Sequence, residues 1–200
     1  MTYEILYKSD SEIIFKDNFM VRHFEKNGDS IFSDLGVFLG VHDNFISNKD
    51  AYINDLIDYS GFDANKLNYT PKSLYMLDET YKKANSFKKR VKFPNLFIED
   101  YLFLDIPENV VWGMIAYTGE VVIKETKGNW VLKKEEYHFS VGNIKIYSYI
   151  PYVYGKKGDK YPILQLVLLL FEDCGEFEFY LAPRIIAALK FGVSNTDMFI

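Results

Sequence analysis

PENVVWGMIAYTGEVVIKETKGNW, residues 107–130, decides the fold. Trp112, Ile115, Ala116, Gly119, Val122 and Ile123 fall at i, i+3, i+4, i+7, i+10 and i+11, one continuous face of an α-helix. Val111 and Met114 widen that face, so the spacing predicts a central helix over Pro107–Lys127, buried on more than one side. Pro107 suits the first helical position, where its missing N–H has no helical partner anyway. Gly113 and Gly119 each cost about 1 kcal/mol against Ala inside a helix. Close approach of another backbone is the expected compensation. The helix leaves through Gly128-Asn129-Trp130, which has turn chemistry.

After this exit the chain changes character. Trp130–Lys133, Tyr137–Val141, Ile144–Ile150 and Tyr152–Tyr154 are rich in β-branched and aromatic residues, with Gly142-Asn143 and Gly155–Asp159 as turns. An antiparallel meander follows from that pattern. Ile163–Phe171 is a short apolar run that periodicity leaves open between helix and strand, and its leucines favour helix. Pro183 opens a last short helix that Gly192 stops.

Upstream, Asn48 is the expected cap of a helix carrying Ile53, Leu56 and Ile57, with Asp50 in its first turn and Gly61 at its end. Thr70-Pro71 opens another, with Leu74, Leu77, Tyr81 and Ala84 on one face. Asn95–Leu104 reads as a further helix. Thr2–Tyr7 and Glu12–Phe15 have strand composition. The class is therefore α+β: N-terminal helices, then an antiparallel β-meander, then short C-terminal helices, all in one domain over residues 1–200.

The net charge of −5 argues against general nucleic-acid binding, which wants a basic face. Cys174 is the single cysteine, which excludes an internal disulfide and fits a reducing compartment. It lies among Glu172, Asp173 and Glu176, whose negative charge disfavours a thiolate. The N-terminal residues have no signal-peptide pattern, and the longest apolar run is far short of the roughly 20 residues of a membrane span. A cytoplasmic protein without a membrane role is expected.

No P-loop, dinucleotide fingerprint, H-E-x-x-H, G-x-S-x-G or paired C-x-x-C is present. His23, His42 and His138 are too scattered to suggest a metal site. No catalytic residue, cofactor or metal is assigned, and the chain leans away from enzymes. Glu120 is the carboxylate of most interest, because it lies close to the apolar stripe and needs a partner if buried. Its expected role is to tie the helix to the Gly128–Trp130 hairpin or to a Tyr hydroxyl, with a binding role as the competitor. Tyr117 and Trp130 join it as candidate binding residues. So do Glu172, Asp173, Glu176 and Glu178, an acidic edge suited to a basic partner. Lys82, Lys83, Lys88, Lys89, Arg90 and Lys92 form a basic run whose plain reading is a solvated helix end.

Tyr69-Thr70-Pro71-Lys72-Ser73-Leu74-Tyr75-Met76-Leu77-Asp78 resembles the Y-S-x-x-S-L-x-x-L-D helix start of many small bacterial proteins of unknown function. Thr70 stands where that pattern has Ser. In those proteins a later helix ends in A-Y-x-G-E-V…G-x-W and strands follow. Ala116-Tyr117-Thr118-Gly119-Glu120-Val121 and Gly128-Asn129-Trp130 match in order and spacing. The resemblance covers roughly residues 67–154 and carries no catalytic residues with it. Some members look like immunity proteins beside secreted toxins, which implies a binding role.

The sequence thus points to a non-enzymatic, immunity-type bacterial protein that binds another protein through a charged, Tyr-rich surface. Interfaces favour such aromatic anchors. Two other readings stay open. One is an enzyme or small-ligand binder with a Tyr-lined pocket that includes Glu120. The other is a mobile-element accessory protein contacting nucleic acid through Lys82–Lys92. The sequence does not fix the partner or the oligomeric state.

Overall fold

The computed structural model describes residues 4–8, 12–16, 21–27, 31–34, 41, 43–85, 91–93, 98–100, 107–139, 144–168 and 180–192. The class is α+β, as the sequence indicates. A four-stranded antiparallel sheet precedes the helices: β1 (Glu4–Lys8), β2 (Glu12–Lys16), β3 (Val21–Asn27) and β4 (Ile31–Asp34), in that spatial order. The two N-terminal runs of strand composition supply β1 and β2.

α1 (Phe45–Ser60) begins a turn earlier than the Asn48 cap expected from the sequence. The cause is tertiary. Phe45 is buried and packs edge-on against Trp130 and stacked on Tyr52, so burial extends the helix past its local start signal. Asn44 occupies the cap position, and Asp50 falls outside the first turn. Gly61 ends α1 as expected, at φ 64°, with its N–H donating to the Ile57 carbonyl.

Pro71–Leu74 is a 3₁₀ turn that runs into α2 (Tyr75–Asn85). Thr70 precedes it in an extended conformation, but its hydroxyl donates to Asn68 Oδ1 instead of capping the helix. The helix read over Asn95–Leu104 is corrected: Ile98–Asp100 is a strand, β6, paired antiparallel with β5 (Val91–Phe93). Val91–Phe93 and Ile98–Asp100 satisfy each other's backbone groups as an antiparallel pair, and at three residues each their composition does not separate strand from helix.

α3 (Glu108–Thr126) is the predicted central helix. Val110 to Gly119 are all buried, as are Val121 and Val122. Pro107 sits one position earlier than expected, its carbonyl accepting from Val110 and Val111. Gly113 marks the crossing with α1: a Cβ there would stand 2.3 Å from the Tyr52 carbonyl oxygen and 2.7 Å from Leu56 Cβ. This is the close backbone approach that the glycine implied.

The expected meander is built from fewer and longer strands. β7 (Asn129–Phe139) pairs along its whole length with β8 (Ile144–Tyr154), and β8 pairs at its end with β9 (Lys160–Tyr161). The polar Lys134-Glu135-Glu136 does not interrupt β7, because strand pairing needs only backbone groups. Pro151 stands inside β8 without breaking it. Tyr149, two residues away and of the same parity, exchanges both backbone hydrogen bonds with Val41 on the side of β8 away from β7. The donor Pro151 lacks therefore belongs to that outer edge, where a strand tolerates proline. α4 (Ile163–Leu168) settles the ambiguous leucine-rich run as helix, and α5 (Leu181–Phe191) ends at Gly192. Pro183 is the third residue of α5, still in the first turn. The buried core gathers side chains from α1, α3, α4 and α5 around the inner face of β7–β9.

Candidate functional site

The exit of α3 holds the polar cluster that the sequence singled out. Gly119 removes the side chain that would block the Trp130 ring: a Cβ there would lie 1.9 Å from Trp130 Cη2. The six-membered ring of the indole therefore sits against the helix at Gly119, and its Nε1–H donates to Glu120 Oε1 at 2.9 Å. Lys127 takes the left-handed conformation at φ 55°, ending the helix. Gly128 then lets the chain pass the Tyr154 carbonyl, which a Cβ would meet at 2.1 Å. Glu120 is thus tied to the hairpin it precedes, through Trp130.

The same oxygen, Glu120 Oε1, receives Lys49 Nζ from α1 at 3.1 Å, and Lys49 also donates to Asp50 Oδ1 at 2.9 Å. The Glu120 and Lys49 side chains are 23% and 25% exposed, so the cluster is half-buried. Burial lowers the affinity of the Lys49 ammonium for its proton, but the hydrogen bonds and charges of Asp50 and Glu120 outweigh it. The net result is a pKa above the ordinary lysine value. Tyr69 lies within the field of this cluster. Its phenol is pushed up by burial and by the charges of Glu120 and Asp50, against an opposing effect of Lys49.

Tyr117, one turn earlier on α3, is fully buried. Its oxygen accepts from the Tyr69 backbone N–H at 3.2 Å and lies 2.5 Å from Ser73 Oγ. Ser73 donates its own proton to the Thr70 carbonyl at 2.6 Å, so Tyr117 is the donor to Ser73. Burial raises the Tyr117 phenol, partly offset by the Tyr69 N–H that donates to its oxygen. Tyr69 is held at φ 54°, a region that L side chains seldom adopt, by its bond to Tyr117 and by the 5.0 Å contact of the two rings. Lys124 Nζ donates to the neighbouring Asn68 carbonyl at 2.8 Å. Tyr117 and Lys124 of α3 thereby fasten the loop before α2.

The other quoted block has a similar physical content. Ser73, Leu74, Leu77 and Asp78 are all buried, at i, i+1, i+4 and i+5 of one face. Asp78 receives the Leu181 N–H at 2.7 Å on Oδ1 and the Ala182 N–H at 3.2 Å on Oδ2. A carboxylate from α2 therefore caps the N-terminus of α5, where the helix dipole favours negative charge.

Among the sequence candidates, Glu120, Trp130 and Tyr117 converge on this region, with Tyr117 inside the core and the other two half-buried. Glu172, Asp173, Glu176 and Glu178 lie outside the described residues, as do Cys174 and Lys88–Arg90 of the basic run. Lys49, Asp50, Ser73 and Asp78 are the members that sequence reasoning did not pick. Asp78 had a signal, since a carboxylate directly after a buried Leu on a helix face needs a partner. Lys49 had none, because its role depends on how α1 crosses α3. Among the described residues no three His, Cys, Asp or Glu side chains gather as a metal-binding group, and no helix is long and apolar enough to cross a membrane. No protein-family model matches the chain, and neither a curated protein nor a solved structure matches it.

Proposed function

We propose that this chain is a non-enzymatic, immunity-type bacterial protein of the cytoplasm that acts by binding another protein. The observation that carries this reading is the internal use of the acid–base groups. Glu120 Oε1 is shared between Trp130 and Lys49, and the Tyr117 hydroxyl is engaged by Ser73 and Tyr69 in the core. A general base must reach a substrate proton, and a nucleophile must reach a substrate carbon. These groups instead hold α1, α3, the loop before α2 and β7 together. The surface beyond them is charged and carries half-exposed tyrosines, the composition of a binding face.

The test is co-expression of the full chain with the product of the adjacent gene in its native genome. The expected result is protection from that product's toxicity, together with a stoichiometric complex on gel filtration. Absence of any protein complex, combined with saturable small-molecule binding that Glu120→Gln abolishes, would overturn the reading in favour of a ligand-binding pocket.

A further inference from the structure

The strands β7, β8 and β9 divide their residues by parity. Directly opposed residues of an antiparallel pair point to the same face, and successive residues alternate. Trp130 opposes Val153, and Val153 opposes Tyr161. Trp130 lies on α3, and Val153 and Tyr161 are buried, so these three form the inner face. The alternate set is Val131 opposite Tyr152, Tyr154 opposite Lys160, and Lys133 one step along β7.

At the base of the hairpin Val131, Lys133 and Lys160 of this outer set are exposed, and Tyr152 and Tyr154 are half-buried. Val131 is 36% exposed and the Lys133 side chain 58% exposed. Lys160 is exposed and places Nζ 3.9 Å from the centre of the Tyr152 ring. Tyr154 meets Tyr152 edge-on with ring centres 6.5 Å apart. Lys156 and Lys157 are exposed in the adjoining turn. Among the described residues two carboxylates belong to the same region: Glu135, paired with Lys133, and Asp159 in the turn. Ile150, which shares the outer parity, is buried, so the patch is bounded on that side. On a chain of net charge −5, lysines predominate here among the described residues, around two tyrosines and an exposed valine.

We propose that this outer face of β7–β9 is the docking surface for an acidic segment of a partner protein. The inference rests on the protein-binding reading above and adds the surface and the partner's chemistry. Charge complementarity selects the occupant. Lys133, Lys156, Lys157 and Lys160 supply cationic donors for carboxylates, while Val131 and the tyrosine rings supply apolar seats between them. A nucleic acid fits less well. The negative charge of the whole chain opposes a polyanion at long range, and Lys160 already covers the Tyr152 face on which a base would stack.

The experiment titrates the full chain against three fluorescein-labelled probes. They are a peptide repeating Glu-Glu-Leu-Asp, its amide counterpart repeating Gln-Gln-Leu-Asn, and an oligothymidylate of equal length. The acidic peptide is expected to bind, more weakly as salt rises, while the amide peptide does not. Charge reversal by Lys133→Glu with Lys160→Glu should raise its Kd about tenfold or more, and Tyr152→Ala should weaken it independently. Lys72→Glu, exposed on the loop before α2, should leave it unchanged. If charge reversal impairs folding by circular dichroism, the pair Lys133→Gln and Lys160→Gln replaces it, with the same expected direction. Equal affinity in wild type and lysine variants, absence of acidic-peptide binding, or tighter binding of the oligothymidylate would each overturn the proposal. A cognate protein still held by the lysine variants would also overturn it, while leaving the protein-binding reading intact.

Discussion

Replacing Glu120 probes the joint between α3, α1 and β7 directly. Its Oε1 accepts from the Trp130 indole at 2.9 Å and from Lys49 at 3.1 Å. In Glu120→Ala the indole N–H loses its acceptor and Lys49 keeps only Asp50 among these carboxylates. Hydrogen bonds to a charged group contribute about 1.5–3 kcal/mol, and an unsatisfied buried donor costs a similar amount. Both side chains are about a quarter exposed, so water compensates in part and the Lys49 contribution is screened. The expected loss is about 2 kcal/mol for Glu120→Ala, and about 1 kcal/mol for Glu120→Gln, which keeps an acceptor for the indole. With a urea dependence of about 2 kcal/mol per molar, the midpoint should fall by about 1 M and about 0.5 M respectively. Trp112 and Trp130 provide the fluorescence signal. A double-mutant cycle with Trp130→Phe should return a coupling of about 1 kcal/mol between the two sites. A Glu120→Ala midpoint within about 0.1 M of wild type would refute the structural role. So would additive behaviour in the cycle. A variant that keeps full stability but no longer binds its partner would hand Glu120 to the recognition surface instead.

Other perturbations test neighbouring parts of the fold. Gly119→Ala should destabilise by about 3 kcal/mol in the same urea assay, because the added methyl must expel the Trp130 ring, despite a gain of about 1 kcal/mol in helix propensity; a stabilised variant would mean the indole lies elsewhere. Ile115→Ala, at a fully buried position on α3, should lose about 2–5 kcal/mol, and a loss below about 0.5 kcal/mol would contradict the helix register. Asp78→Asn should cost about 1–3 kcal/mol by weakening the cap on α5, with faster amide exchange at Leu181 and Ala182 as its local signature; unchanged exchange there would remove the cap from the account. Alkaline pH should destabilise the protein. Tyr117, Tyr69 and Tyr161 are raised first by burial, and Lys49 is raised by its carboxylates against its own burial. A raised folded pKa gives stability that is present below the unfolded value and lost as pH climbs through the folded one, so the midpoint should decline above about pH 10. Tyr117→Phe should flatten part of that decline, and a wild-type midpoint constant to about pH 11 would refute the assignment.

The parts of the fold legible in the sequence are those whose signals are local. The 3.6-residue stripe of α3, the Gly61 stop of α1 and the turn at Gly128-Asn129 each depend on residues within a few positions of one another. The start of α1 departs from its local signal because Phe45 is held by Trp130 and Tyr52, and Trp130 is 85 positions away along the chain. Ile98–Asp100 leaves no strand signal in the sequence because three residues are too few positions for a period to register. The site divides in the same way. Glu120 and Trp130 could be paired from the sequence because both flank one helix end. Lys49 and the Ser73–Tyr117 bond require the crossing of α1 over α3 and the folding of the Asn68–Thr70 loop onto α3, which no local pattern encodes.

The two short blocks that carried the resemblance prove to be one mechanical unit. Ser73 of the first is bonded to Tyr117 of the second, and Asn68, just before the first, is held by Lys124, between the two parts of the second. Gly119, Glu120 and Trp130 close the second block on itself. Ser73, Tyr117, Glu120 and Trp130 use their polar groups inside the fold, which accounts for those four residue types without any ligand. On the proposed protein-binding reading, partner-facing chemistry resides in residues that these contacts leave over. β7 supplies both kinds in alternation: Trp130 turns inward to Gly119 and Glu120, while Val131 and Lys133 turn outward beside Tyr152. One strand can therefore keep its inner residues fixed by the fold and change its outer ones with the partner. A resemblance confined to the inner set would carry the architecture from protein to protein and leave the identity of the partner to the outer face.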